Sequence, residues 1–253
     1  MLAAEKTRDP AGVHPGGAAK GRSAALFVCS PRPRVGKTMV ARMVADFFQA
    51  RDRPVVAFDA NPNDPALSAY VSSVPATLAH TRGQMALFDR LIEADGTTKV
   101  IDVAADQFDR LLEVLRETGF GQEARERSID TVVFYVADDH LRSLSGYRDL
   151  VQAFPVGTLV PVHNEPAEKS AGGEPSALAA RGAAPMMLTH LPTYLQETVR
   201  KPGFSFTRHL DLSQPHQALH QWIARGFIAL RDLELRQSLE NFAPLFGLGA
   251  WAL

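Results

Sequence analysis

The sequence holds a single cysteine, Cys29, so neither an intramolecular disulfide nor a cysteine-based zinc site can form within the chain. So few thiols fit a reducing compartment. An excess of charge of one sign is also missing: 27 Lys and Arg stand against 28 Asp and Glu, a formal net charge of −1. That balance gives no bulk attraction to nucleic acid or to an anionic membrane, and no specific nucleic-acid partner is expected. No apolar run approaches the ~18 residues of a membrane span. Met1 to Arg22 mixes Glu5, Lys6, Arg8 and Asp9 with Ala, Gly and Pro in place of the apolar stretch of a secretory signal. A cytoplasmic protein is expected. No internal repeat is visible.

What is present suffices for a core, with 45% hydrophobic residues. Residues 1–22 read as a flexible arm rich in breakers, 23–240 as one α/β domain and 241–253 as an apolar tail. Ala24–Cys29 is a short apolar run of the kind that forms a strand buried on both faces. Val40, Met43, Val44, Phe47 and Phe48 then recur at helical spacing, with Arg51 and Arg53 near the end where the helix dipole favours cations. Further strands are expected at Pro54–Phe58, Lys99–Val103, Thr131–Ala137, Thr158–Val162 and Pro185–Leu191. Further helices are expected at Gln84–Ala94, around Phe108–Leu115, at Leu141–Phe154 and within Gln214–Glu240. About six strands alternating with helices imply right-handed βαβ units, hence a three-layer α/β/α sandwich with a mostly parallel central sheet. Residues 165–184, rich in Ala, Gly, Glu and Pro, read as a surface insertion.

Between the first strand and its helix lies Arg34-Val35-Gly36-Lys37-Thr38. A phosphate loop needs inward backbone N–H groups, a lysine for the β- and γ-phosphates and a hydroxyl for Mg²⁺, with the helix N-terminus beneath the anion. Gly36, Lys37 and Thr38 supply the last three positions. The earlier ones depart from pattern: Pro31 stands where the first glycine belongs, and prolines at 31 and 33 offer no N–H. Arg32 and Arg34 either compensate with forked side-chain donors or form a solvated basic loop.

These motifs, in order, resemble the MinD/ParA-like ATPases with a deviant Walker A motif. Their K-G-G-V-G-K-[ST] element is similar to Arg32–Thr38, and their D-x-D to Asp59-Ala60-Asn61-Pro62. A Walker B-type strand resembles Val100-Ile101-Asp102, the base-reading asparagine looks like Asn164, and a proline after the last strand looks like Pro192. The resemblance runs from about residue 24 to about 195. It implies ATP or ADP as ligand with Mg²⁺, and a nucleotide-dependent homodimer that signals to an unidentified protein partner. By the same resemblance, Lys37 and Thr38 with the neighbouring Arg34, Val35, Gly36 and Met39 hold phosphates. Thr38, Asp102 and Asp59 attend the metal, and Asn164 and Pro192 attend adenine. Arg32 stands where the family sends a lysine across the dimer, and an arginine finger in trans is one use for it. Asn61 replaces the aspartate that positions the attacking water, and an amide cannot take the proton. Asp64 is the nearest substitute. Slow hydrolysis and a non-hydrolysing pseudo-ATPase both remain open. A small-molecule kinase is a third reading, weakened because 165–184 holds only Arg181 where an arginine-rich lid belongs.

Asp138 or Asp139 is expected to cap the helix near Leu141, a metal or acid–base cluster with His140 being the alternative. Cys29 reads as a buried inert thiol. His163, His190 and His209 lack ligand spacing. The tail Phe242–Leu253 has no charged side chain, which favours packing on the domain or a partner over membrane contact.

Overall fold

The computed structural model describes residues 22–164 and 178–242, without the side chains of 239–242. The expected arm up to residue 21, the insertion from 165 to 177 and the tail beyond Phe242 lie outside the described residues.

Chain order is β1 (Ala24–Cys29), α1 (Lys37–Gln49), β2 (Val55–Ala60), β3 (Ser73–Pro75), α2 (Thr81–Leu91), β4 (Thr98–Val103), α3 (Phe108–Thr118), α4 (Phe120–Glu126), β5 (Asp130–Ala137), α5 (Leu141–Ala153), β6 (Thr158–Asn164), β7 (Met186–Leu188), α6 (Thr193–Val199), α7 (Phe206–Leu212) and α8 (Ala218–Phe242). The strands form one sheet in the order β3-β2-β4-β1-β5-β6-β7. Every pairing between named strands is parallel. Seven strands replace the expected six because β3 was not anticipated. It has three residues, one of them a proline, and pairs only with β2 at the sheet edge.

Both faces of the sheet are covered, and β1 illustrates why its run is apolar throughout. Alternate residues point to opposite faces. Leu26 and Val28 join the core under α1, α7 and α8, with Met43, Phe47, Phe206, Trp222 and Ile223. Phe27 and Cys29 join the core under α2 to α5, with Phe88, Leu111, Phe120 and Leu150. Phe120 meets Phe27 and Phe88 edge-on at 5.6 and 5.1 Å between ring centroids. Each such fully buried ring contributes about 1.5–3 kcal/mol through area removed from water.

Several ends differ from expectation. Gly119, at φ 58, stops α3 and opens α4, a short helix that was not anticipated. His80 caps α2, its Nδ1 accepting the Gly83 N–H at 2.9 Å, so the helix starts three residues early. His140, rather than Asp138 or Asp139, caps α5, with Nδ1 accepting from the Arg142 N–H at 3.1 Å. Arg51 and Arg53 lie beyond α1 and pair with Glu234 of α8, each at 3.1 Å, so they fasten the last helix instead of answering a dipole. Arg181 donates to the carbonyls of Gly157, at 2.9 Å, and Phe154. It also pairs its backbone with Leu159, which ties the end of the expected insertion to β6. Among the described residues, no helix is long and apolar enough to cross a membrane.

Candidate functional site

In a parallel sheet the strand ends at which the chain diverges to either side leave a crevice. Here β1 lies between β4 and β5, and its C-terminal end turns through Ser30–Gly36 into α1. The buried Ser30 hydroxyl accepts the Arg32 N–H at 3.2 Å. Arg34 (φ 61) and Gly36 (φ 99) are both left-handed, the alternation that gathers backbone N–H groups into an anion-binding concavity. A left-handed arginine costs about 1–2 kcal/mol. At Gly36 the need for glycine is also steric: a Cβ there would lie 2.8 Å from Asn164 Nδ2.

Lys37 is buried and folds back to donate to the Arg32 carbonyl at 2.8 Å. Burial pushes its ammonium below the ordinary lysine value, opposed by the charges of Asp102 and Asp106. Asp59 and Asp102 stand opposite one another on β2 and β4. Burial raises the Asp102 carboxyl to about 6; the Thr38 hydroxyl, within polar reach of it, and the Lys37 charge pull the other way, and Asp59 adds to the rise. Asp59 is raised by burial too, against the N–H groups of Leu67, Asn61 and Ser68 and with the Asp64 charge. Its oxygens accept from Asn61 N at 3.2 Å and Leu67 N at 3.0 Å, so this carboxylate organises the loop after β2. Asn61 closes the same loop, its Oδ1 accepting from Asp64 N at 3.3 Å.

Arg32 turns sideways to Asp138 at the end of β5, Nε to Oδ2 at 3.2 Å. Burial raises the Asp138 carboxyl, but the Ser143 hydroxyl, the Arg32 guanidinium and the His140 N–H outweigh it and hold the group below its usual range. Asn164 ends β6 and donates through Nδ2 to the Val35 carbonyl at 2.9 Å, so it clasps the loop. Pro192 begins α6 as its N-cap residue, while His190 and Leu191 line the adjoining cavity. Cys29 is fully buried, and burial pushes its thiol up to about 12 against the Lys37 charge, which makes it unreactive.

Two cavities meet at the loop. One, of about 380 Å³, is walled by α1, α6 and by Ala66 and Tyr70 of the segment after β2, and includes Met39, Arg42, Asn164, Leu191 and Gln196. The other, of about 820 Å³, holds Lys37, Thr38, Asn61, Asp64, Asp102, Asp106 and Arg142. Sequence reasoning missed Arg42, Arg142, Asp106, Tyr70, Gln196 and Arg200. Arg42 was within reach of pattern alone, being one helical turn after Thr38 on the same face. The others come from distant segments with no motif of their own. Among the described residues, no group of three or more His, Cys, Asp or Glu is arranged to hold a metal.

Fold and loop define a three-layer parallel α/β protein with a left-handed turn between β1 and α1 at its switch point. No protein-family model matches the chain, and no curated protein matches it significantly. Among solved structures, it is similar to a nucleotide-binding protein in complex with ADP from Archaeoglobus fulgidus, at 12% identity and a TM-score of 0.42, over 69% of this chain and 84% of that one.

Proposed function

We propose that this protein binds ATP or ADP at the end of β1 and uses the bound nucleotide as a switch for a protein partner. The observation that carries this reading is the left-handed turn at Arg34 and Gly36, which leads into a helix whose first residues are Lys37 and Thr38, with Asp102 beside Thr38 on the neighbouring strand. The loop's N–H groups and the α1 N-terminus hold the phosphates. Lys37 leaves the Arg32 carbonyl to meet the β- and γ-oxygens. Thr38 and Asp102 are hard oxygen donors, the chemistry suited to Mg²⁺, which uses one or two protein groups together with phosphates and waters. When bound, the cation neutralises charge on the phosphate oxygens. The nucleobase occupies the smaller cavity, against Leu191 and Asn164.

Turnover is slow. Asn61 cannot accept a proton, and its amide oxygen together with the Asp59 carboxylate already closes the loop after β2. This pairing supports a second reading, a non-hydrolysing protein in which nucleotide is a regulatory ligand. Arg32, held by Asp138 within the chain, is freed for a second copy only if nucleotide-dependent dimerisation breaks that ion pair. A kinase reading gains little, because Arg181 braces β6 far from the loop's lining residues.

Calorimetry with ATP, ADP and GTP in Mg²⁺, on wild type and Lys37→Ala, tests the proposal, with phosphate release followed in the same samples. Binding that Lys37→Ala abolishes is expected. Absence of binding to wild type would overturn the reading. Sedimentation with and without ATP tests the switch, which predicts a dimer only with nucleotide.

A further inference from the structure

Six residues line both cavities: Arg34, Gly36, Thr38, Met39, Ala66 and Arg200. Five come from the phosphate loop, the start of α1 and the loop after β2. Arg200 comes from elsewhere, the residue that ends α6. Charge along the smaller cavity is one-sided: Arg34, Arg42 and Arg200 line it, and no carboxylate does. Arg42 is already committed, donating through Nη2 to the carbonyls of Val199 at 3.0 Å and Phe204 at 3.3 Å and stacking on Tyr70. Arg34 and Arg200 are exposed at the boundary and left to meet an anion.

We propose that Arg200 is a phosphate-clamping residue, its guanidinium binding the α- and β-phosphates of a nucleoside di- or triphosphate where the phosphate chain passes from one cavity to the other, opposite Arg34. The proposal rests on the nucleotide reading of this site and adds a residue to it. Arg200 is pre-positioned. Its N–H donates to the Gln196 carbonyl at 2.9 Å, and its own carbonyl accepts the Tyr70 hydroxyl at 3.2 Å. Its Nη2 donates to Gln196 Oε1 at 3.2 Å, and Gln196 Nε2 donates in turn to the Leu191 carbonyl at 2.7 Å. One of five guanidinium N–H groups is thereby used, and the side chain is tethered to the wall of the proposed base cavity. The clamp also has a reason to exist. Pro31 and Pro33 remove two backbone donors from the phosphate loop, and a forked guanidinium returns two.

The test is titration of ADP, and of adenosine by competition, against wild type, Arg200→Ala, Arg200→Lys and Lys37→Ala, with circular dichroism confirming the fold of each. Arg200→Ala should weaken ADP about ten- to a hundredfold and leave adenosine unchanged. It should also flatten the salt dependence of ADP binding. Arg200→Lys should recover part of the affinity. If Lys37→Ala abolishes ADP binding while Arg200→Ala leaves it intact, the clamp is wrong and the nucleotide reading stands. Equal losses for ADP and adenosine would make Arg200 a prop for the cavity wall and overturn the clamp. Indifference of ADP to both Lys37→Ala and Arg200→Ala would remove the nucleotide reading and the clamp together.

Discussion

At Gly36 two constraints coincide, a left-handed φ of 99 and the Asn164 amide 2.8 Å from where a Cβ would sit. Gly36→Ala should therefore cost at least about 1 kcal/mol in stability and lower ADP affinity tenfold or more; a variant that binds like wild type would refute the role given to this turn. Asn61→Asp is expected to raise phosphate release by about tenfold or more by restoring a proton acceptor, measured in single-turnover assays. Asp102 carries a pH signature. Its carboxyl rises from 3.8 unfolded to about 6 folded, mainly through burial. The native chain thus holds that proton more tightly than the unfolded chain does. The resulting stabilisation is complete below pH 3.8 and is lost as pH rises through about 6. Asp102→Asn, always neutral, should gain melting temperature relative to wild type across that window, and a constant difference would contradict the assignment. At this scale the sequence anticipated which residues gather at the turn after β1, since Lys37, Thr38 and Asp102 line one cavity. It was silent on the Arg32–Asp138 pair, because nothing in the type or spacing of residues 106 apart announces a contact.

Elements were readable wherever apolar residues repeat over two turns or more. α1, α3 and α5 and the five long inner strands were all anticipated to within a few residues. β3, α4, α6 and α7 were not, since elements of three and seven residues hold too few repeats to reveal a period. α6 and α7 matter nonetheless, because Arg42 of α1 fastens the connection between them. Burial pushes its guanidinium down to about 10, and Tyr70 lies under it at 3.4 Å. Arg42→Met should lower the unfolding free energy by about 2–4 kcal/mol, leaving two carbonyls short of a donor and Tyr70 without its cation; urea denaturation would measure it. Glu234→Gln, by contrast, should cost under about 1 kcal/mol, because the arginines it meets are solvent-exposed in part and screened.

For the molecule as a whole, the last helix completes a layer. Trp222, Ile223 and Leu230 of α8 belong to the same core as α1 and β1, so removing residues from 218 onward would expose that face. The truncated chain is expected to be insoluble or to lose cooperative melting, and a well-folded truncation would show that α8 is dispensable. A final consequence concerns time rather than affinity. Because Asn164 fastens the Val35 carbonyl from the end of β6, the proposed phosphate loop is braced by a contact within the chain. A ligand meeting a site already formed has no slow rearrangement to wait for, and the exposed guanidinium groups at the mouth draw an anion inward. Stopped-flow association should therefore be a single phase, linear in nucleotide concentration and slowed by salt, and Asn164→Ala should add a lag that no change in ionic strength removes.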